Sequence, residues 1–255
     1  MSSKNIFITG GASGIGFGIA AHFSELGHHI IIADINQDAA EQAAKSLQSR
    51  GGSAQAIQID VCNASAVAQL PEQLKDTPVD VLINNAGIQH VSRIEDFPAE
   101  KWQRLIDIML VAPALLTQAF LPNMRKNDFG RIINVGSIHS LVASPFKSAY
   151  VAAKHGLLGF SKTIALEMGD ANITINTLCP AYVKTPLVEQ QIAAQAKENN
   201  MTEEQVVSDI MLAPMPKKAF ISVEELAGTA EFLISPAARN MTAQTLVLDG
   251  GWVAR

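Results

Sequence analysis

Tyr150 and Lys154 lie four residues apart, a spacing that places two side chains on one face of a helix. A phenol beside an ammonium is a candidate base. Free tyrosine, with a pKa of about 10, accepts protons poorly at neutral pH, but a neighbouring positive charge favours phenolate. Such a group could take the hydroxyl proton of an alcohol while a hydride leaves the adjoining carbon. Ser137, thirteen residues before Tyr150, could hydrogen-bond the substrate oxygen and hold it near the phenol. Taken alone, a Tyr–Lys pair at this spacing is usually an amphipathic surface pair, so its meaning depends on the rest of the chain.

A hydride needs a carrier, and the N-terminal segment supplies a candidate site. Thr9-Gly10-Gly11-Ala12-Ser13-Gly14-Ile15-Gly16 stands between a strand-like run and a helical one. Glycines let the backbone approach a pyrophosphate, and free amides at a helix N-terminus bind the anion. Asp34 closes the second strand-like run, where its carboxylate would accept from the ribose hydroxyls and repel a 2′-phosphate. Ile35-Asn36-Gln37 offers no cation for such a phosphate, so NAD is expected over NADP; a loop cap is the plainer role for Asp34. Asn85, Ala86 and Gly87, after the fourth run, are small or amide-bearing and suit contact with the cofactor. Asp60 and Val61, ending the third, could border the adenine.

These groups require a scaffold of alternating elements. Strands are expected at Asn5–Thr9, His29–Asp34, Ala54–Asp60, Val79–Asn84, Arg131–Ser137, Thr174–Cys179 and Thr245–Asp249. Helical periodicity fills the intervals, as at Ile15–Leu26, Asp38–Arg50 and Ala149–Met168. The expected class is α/β: a Rossmann-like, doubly wound, mainly parallel seven-stranded sheet with helices on both faces. One domain spans 1–255. Within it, 184–218 breaks the rhythm with two amphipathic stretches, Val188–Glu198 and Thr202–Met211, before Pro214-Met215-Pro216. A helical substrate lid is expected there, with a surface insertion as the alternative.

Composition narrows the partners. The 255 residues are 48% hydrophobic and 17% charged, which disfavours disorder and coiled coil. A net charge of −5 and the lack of a Lys/Arg cluster speak against nucleic acid and against anionic membranes. The longest apolar stretch, Ile106 to Leu116, is interrupted by Asp107 and Pro113 and is short for a bilayer span. Cys62 and Cys179 have no metal-ligand spacing, so no metal is expected and both are read as reduced thiols. Polar Ser2-Ser3-Lys4 runs straight into a strand without a signal-peptide core, so a cytoplasmic location is expected.

Taken in order, T-G-x-x-x-G-I-G, N-N-A-G and Ser137 ahead of Tyr150-Val-Ala-Ala-Lys154 resemble the short-chain dehydrogenase/reductase family, through to Asp249-Gly250-Gly251. The resemblance implies that Ser137, Tyr150 and Lys154 are catalytic and that Tyr150 and Lys154 also meet the nicotinamide ribose. It implies further cofactor contacts from Pro180, Val183 and Thr185. It also implies a homotetramer with the last helix and strand at an interface. One departure stands out: the helix after Trp102 usually carries an Asn whose carbonyl binds a proton-relay water, and that position is Met109. Pro113, four residues on, has no N–H for the Met109 carbonyl, so the main chain could serve in place of the Asn. A crippled relay is the alternative.

Gln89, His139, Lys147 and Gln191 are hydrogen-bond donors near these motifs, and convergent donors suit a carboxylate. Their surroundings, such as Gly-Ser137-Ile-His139, Phe-Lys147-Ser-Ala-Tyr150 and Asp-Gly-Gly-Trp252, resemble the 3-hydroxybutyrate dehydrogenase branch of the family. That resemblance implies that the four donors grip a substrate carboxylate and that Trp252 packs near the pocket. The branch typically shows Gly-Trp where this chain has Ala181-Tyr182, so Tyr182 is expected to pack on the substrate. His90 is read as structural or solvent-facing. The expected reaction is reversible oxidation of (R)-3-hydroxybutyrate to acetoacetate by NAD. A 3-oxoacyl-carrier-protein reductase and a non-catalytic dinucleotide sensor are the rival readings.

Overall fold

A computed structural model describes residues 2–254. Seven strands form one sheet: β1 (Asn5–Thr9), β2 (His29–Asp34), β3 (Ser53–Gln58), β4 (Val81–Asn84), β5 (Gly130–Val135), β6 (Ile173–Pro180) and β7 (Thr245–Leu248). Their order is β3-β2-β1-β4-β5-β6-β7, and every neighbouring pair is parallel. The expected "mainly parallel" sheet is therefore parallel throughout. The middle strands β4, β5 and β6 are buried at every position, including polar Arg131, Asn134, Thr174 and Asn176, as in a parallel sheet covered on both faces.

Alternation along each strand divides the core into two layers. Phe7, Ile31, Leu82, Ile132 and Ile175 face one side. There they meet α3 (Ala64–Gln73), α4 (Ala99–Ile106), α5 (Ala112–Lys126) and α6 (Ser148–Glu167). Ile6, Ile8, Ile30, Ile32 and Ile83 face the other, against α1 (Gly14–Glu25), α2 (Gln37–Ser49) and α9 (Val223–Ile234). The reversal of strand order between β1 and β4 opens a crevice at the carboxyl ends of the strands.

Two strands stop two residues before their expected ends, and β7 stops one residue early, at Leu248. β5 ends at Val135, not Ser137, because Gly136 N–H makes a last bond to Leu178 O (2.7 Å) and Ser137 then caps a short 3-10 turn, Ile138–Ser140. β3 ends at Gln58, not Asp60; the Asp60 carboxylate accepts from Cys62 N–H (3.0 Å) and turns the chain. The helix that holds Trp102 continues through Pro113. α4, a π-helical turn (Asp107–Val111) and α5 run on as one 28-residue helix, Ala99–Lys126, long and apolar enough to cross a membrane. Its apolar face is buried: Leu105, Ile108, Met109, Leu116, Phe120 and Met124 pack against the sheet.

The segment after β6 folds as α7 (Pro186–Asn199), capped by Thr185, then α8 (Glu203–Gln205), which continues as a second π-helical turn, Val206–Met211. Ile192, Val206 and Met211 form one small apolar cluster and Val183, Leu212 and Met215 another, so the two expected helical stretches are anchored beside β6.

Candidate active site

The crevice holds a cavity of about 430 Å³ that runs from Asp34 to Gln191. At one end is the glycine turn. Gly10 and Gly14 have φ of +59° and +54°, and a Cβ at Gly10 would lie 3.1 Å from Ala86 Cα. Ser13 is the N-cap of α1 without a side-chain cap bond, which leaves the amides of the first turn to an anion. Gly10, Ser13, Gly14 and Ile15 line the cavity. Thr9 and Gly16, also expected there, do not. Thr9 is buried, and its hydroxyl accepts from Asn85 N–H (2.9 Å) and Ala86 N–H (3.0 Å), pinning the loop after β4. Gly16 seats the helix on the turn, since a Cβ there would lie 2.3 Å from Gly10 O. A cradle without side chains at a helix N-terminus fits a dinucleotide pyrophosphate.

Both oxygens of Asp34 accept backbone amides, from Ala12 (3.3 Å) and Asn36 (3.1 Å), so its carboxylate is fixed where a ribose would meet it. Asp60 and Val61 line the same end. Asp60 also receives Arg104 Nη2 at 3.1 and 3.0 Å. Against the cost of burial, Cys62 N–H and Arg104 hold the Asp60 carboxyl below its usual range. Arg104 lines the cavity and had no sequence signal, because its partner is 44 residues away. Asn85, Ala86, Gly87, Pro180, Val183 and Thr185 complete the lining of this half as expected.

The catalytic candidates meet in the middle. Ser137 Oγ accepts from His139 N–H (3.1 Å), and Ser137 N–H donates to Ser140 Oγ (3.2 Å), a reciprocal cap that fixes the hydroxyl. Tyr150 stands in the first turn of α6 with Lys154 one turn on, and Lys154 Nζ lies 5.7 Å from the Tyr150 ring centre. The electrostatics depart from the sequence reading. Burial pushes the Tyr150 phenol up, opposed by a hydrogen bond from Ser137, and Lys154 does not lower it. The ammonium is turned away to donate to Val135 O (2.6 Å), and burial lowers its pKa to about 8. In the protein alone the phenol is therefore held in its acid form.

Met109 lies beside this trio. Ala112 N–H donates to Asp107 O, five residues back, rather than to Ile108 O, and Pro113 has no N–H to offer Met109 O. The carbonyls of Ile108 and Met109 thus both lack their α-helical donors. Both residues line the cavity.

At the far end Gln89, His139, Lys147, Tyr182 and Gln191 share the cavity with Ser137 and Tyr150. Lys147 Nζ lies 3.5 Å from His139 Nε2. Burial and the neighbouring Lys147 lower His139 to about 4, so the imidazole is neutral and accepts at Nε2. Burial lowers Lys147 as well. Trp252, expected at the pocket, is one layer behind it, stacked on Tyr182 at 6.1 Å and edge-on to His139 at 6.1 Å. His90 packs on Phe97 (5.0 Å) and does not line the cavity. Among the described residues no group of His, Cys, Asp and Glu is placed to hold a metal.

The family model for short chain dehydrogenases matches residues 4–196. The chain is 42% identical to a D-beta-hydroxybutyrate dehydrogenase of Rhizobium meliloti, over 99% of this chain and 100% of that protein. It is 40% identical to the enzyme of that name from Cupriavidus necator, over the full length of both. A solved structure of a candidate NAD(P)-dependent gluconate 5-dehydrogenase from Beutenbergia cavernae, with NADP bound at low occupancy, superimposes with a TM-score of 0.89 at 30% identity. It covers 100% of this chain and 98% of that one. The chain belongs to the short-chain dehydrogenase family, as an oxidoreductase that works with a nicotinamide dinucleotide on a small molecule.

Proposed function

We propose that this protein reversibly oxidises (R)-3-hydroxybutyrate to acetoacetate with NAD, in the cytoplasm and as a homotetramer. The carrying observation is the Lys147 ammonium, 3.5 Å from a neutral His139, in one cavity with Gln89, Gln191, Ser137 and Tyr150. A cation and two neutral amide donors facing one space suit a carboxylate, which gains charge-assisted hydrogen bonds there, while His139 accepts from the ammonium and positions it. The hydroxyl two carbons away from that carboxylate then reaches Ser137 and Tyr150.

When bound, the nicotinamide accepts the hydride from C3 of the substrate. Ser137 Oγ steadies the substrate oxygen and Tyr150 Oη takes its proton. Since burial raises the phenol, a nearby positive charge is needed to tip it to phenolate. Lys154 supplies such a charge once a ligand draws its ammonium from Val135 O, and a bound cationic nicotinamide would add to it. Proton return to solvent runs past Lys154 to a water on the freed carbonyl of Met109. Asp34, with no cation in Ile35-Asn36-Gln37, supports NAD over NADP. Segment 184–218 acts as the lid, supported by Gln191 and Val188 reaching the cavity from α7. The reduced thiols Cys62 and Cys179 suit the cytoplasm.

Replacing Lys147 with Ala tests the carboxylate assignment. The KM for 3-hydroxybutyrate should rise on the order of tenfold to a hundredfold, the worth of a charge-assisted bond. For a neutral secondary alcohol it should hardly change. Equal effects on both substrates would remove the carboxylate from this end of the pocket.

A further inference from the structure

Tyr182 lines the substrate end of the cavity, and its hydroxyl has no hydrogen bond to a described residue. Its ring is fixed on two sides. Trp252 stacks on it with an interplanar angle of 27°, and the lid residues Ile192, Val206 and Met211 pack against it. Lys147 Nζ lies 6.0 Å from the ring centre. The phenol is near enough to that of Tyr150 to raise it electrostatically, and its own pKa is raised by burial with no hydrogen bond opposing.

The other polar groups of the pocket are already assigned in the reading above, on which this inference rests. The carboxylate meets Lys147 and the two glutamines, with His139 accepting from Lys147, and the reacting oxygen meets Ser137 and Tyr150. What remains of a 3-hydroxy acid is the substituent on C3 remote from the carboxylate. A methyl group there would leave the Tyr182 hydroxyl unpaired, whereas an oxygen would satisfy it. Pockets that hydrogen-bond a substrate hydroxyl discriminate strongly against the analogue lacking it.

We infer that Tyr182 selects a 3-hydroxy acid bearing a second hydroxyl on C4, which pairs with Tyr182 Oη. The redox step is unchanged. The C3–H bond delivers its hydride to the nicotinamide, the C3 hydroxyl proton goes to Tyr150, and the C4 hydroxyl survives in the product ketone.

The test compares (R)-3-hydroxybutyrate with (S)-3,4-dihydroxybutyrate, which has the same spatial arrangement at C3. For the unaltered enzyme with NAD, kcat/KM should favour the dihydroxy acid on the order of tenfold or more. In Tyr182→Phe that ratio should fall by on the order of tenfold. Tyr182→Trp, which removes the hydroxyl and fills the space, should lower it as far. Equilibrium binding of the two acids to the enzyme–NADH complex, followed by tryptophan fluorescence, should show the same change without turnover. A ratio of one or less in the unaltered enzyme overturns the inference. So does a ratio that Tyr182→Phe leaves alone, including one where both acids suffer equally, which would put the phenol on the carboxylate. If neither acid is oxidised, the hydroxy-acid reading itself fails and takes this inference with it; turnover of 3-hydroxybutyrate alone sinks only the role of Tyr182.

Discussion

Tyr150 and Lys154 show what residue spacing reveals and what it hides. Their shared helix face was legible from the sequence, because i and i+4 fix geometry. Their electrostatics were not, because the acceptor that captures Lys154 is Val135 O, nineteen residues earlier on another element. Arg104 on Asp60 was hidden for the same reason, and so was the withdrawal of Thr9 from the cavity to hold two amides of the β4 loop. His139 gives the clearest test at this scale. An unperturbed histidine beside a carboxylate would titrate near 6.5, and substrate affinity would follow it. Here burial and Lys147 depress that value to about 4, so His139 stays neutral as pH falls from 7.5 to 5.5. The KM for the hydroxy acid should be flat across that window in steady-state assays. A break near 6.5 would mean that His139 is not held neutral by its surroundings.

The elements that the sequence placed well are those with one dominant signal. β1 and β2 appear with the expected boundaries, as short β-branched runs between polar ends. Strand ends set by a side-chain cap, at Ser137 and Asp60, ran over by two residues, since a capping serine or aspartate looks like one more strand residue until its bond is seen. The helix Ala99–Lys126 was legible only in pieces. Asp107 and Pro113 read as interruptions, but a π-helical turn absorbs them and keeps the helix continuous. That turn bears on function. Pro113→Ala would return an N–H opposite Met109 O and so compete with a relay water. The predicted outcome is a kcat lowered on the order of tenfold with the hydroxy-acid KM little altered. Stability should not fall, because Ala is the better helix former. Urea unfolding alongside the kinetics checks both halves, and an unaltered kcat would argue that the relay does not use this carbonyl.

At the scale of the whole molecule, seven short strand-like runs separated by helical intervals were enough to specify a doubly wound sheet. The strand order, with its reversal between β1 and β4, then put every motif at one edge. The sequence said less about what covers the outside. Phe232 on α9 and Val247 on β7 remain 42% and 37% exposed in the single chain, in keeping with the proposed tetramer. Light scattering on the purified protein should give the mass of four chains, and a monomer's mass would leave these side chains without a partner. The central claim is that one cavity binds NAD beside a carboxylate grip and removes a hydride from the carbon between grip and phenol. It is tested most directly by following NADH absorbance with each enantiomer of 3-hydroxybutyrate, with NAD and with NADP. Rapid, saturable reduction of NAD by the R enantiomer, with little from the S enantiomer and little with NADP, is the predicted result. No reduction by either enantiomer, or equal use of both, would contradict it.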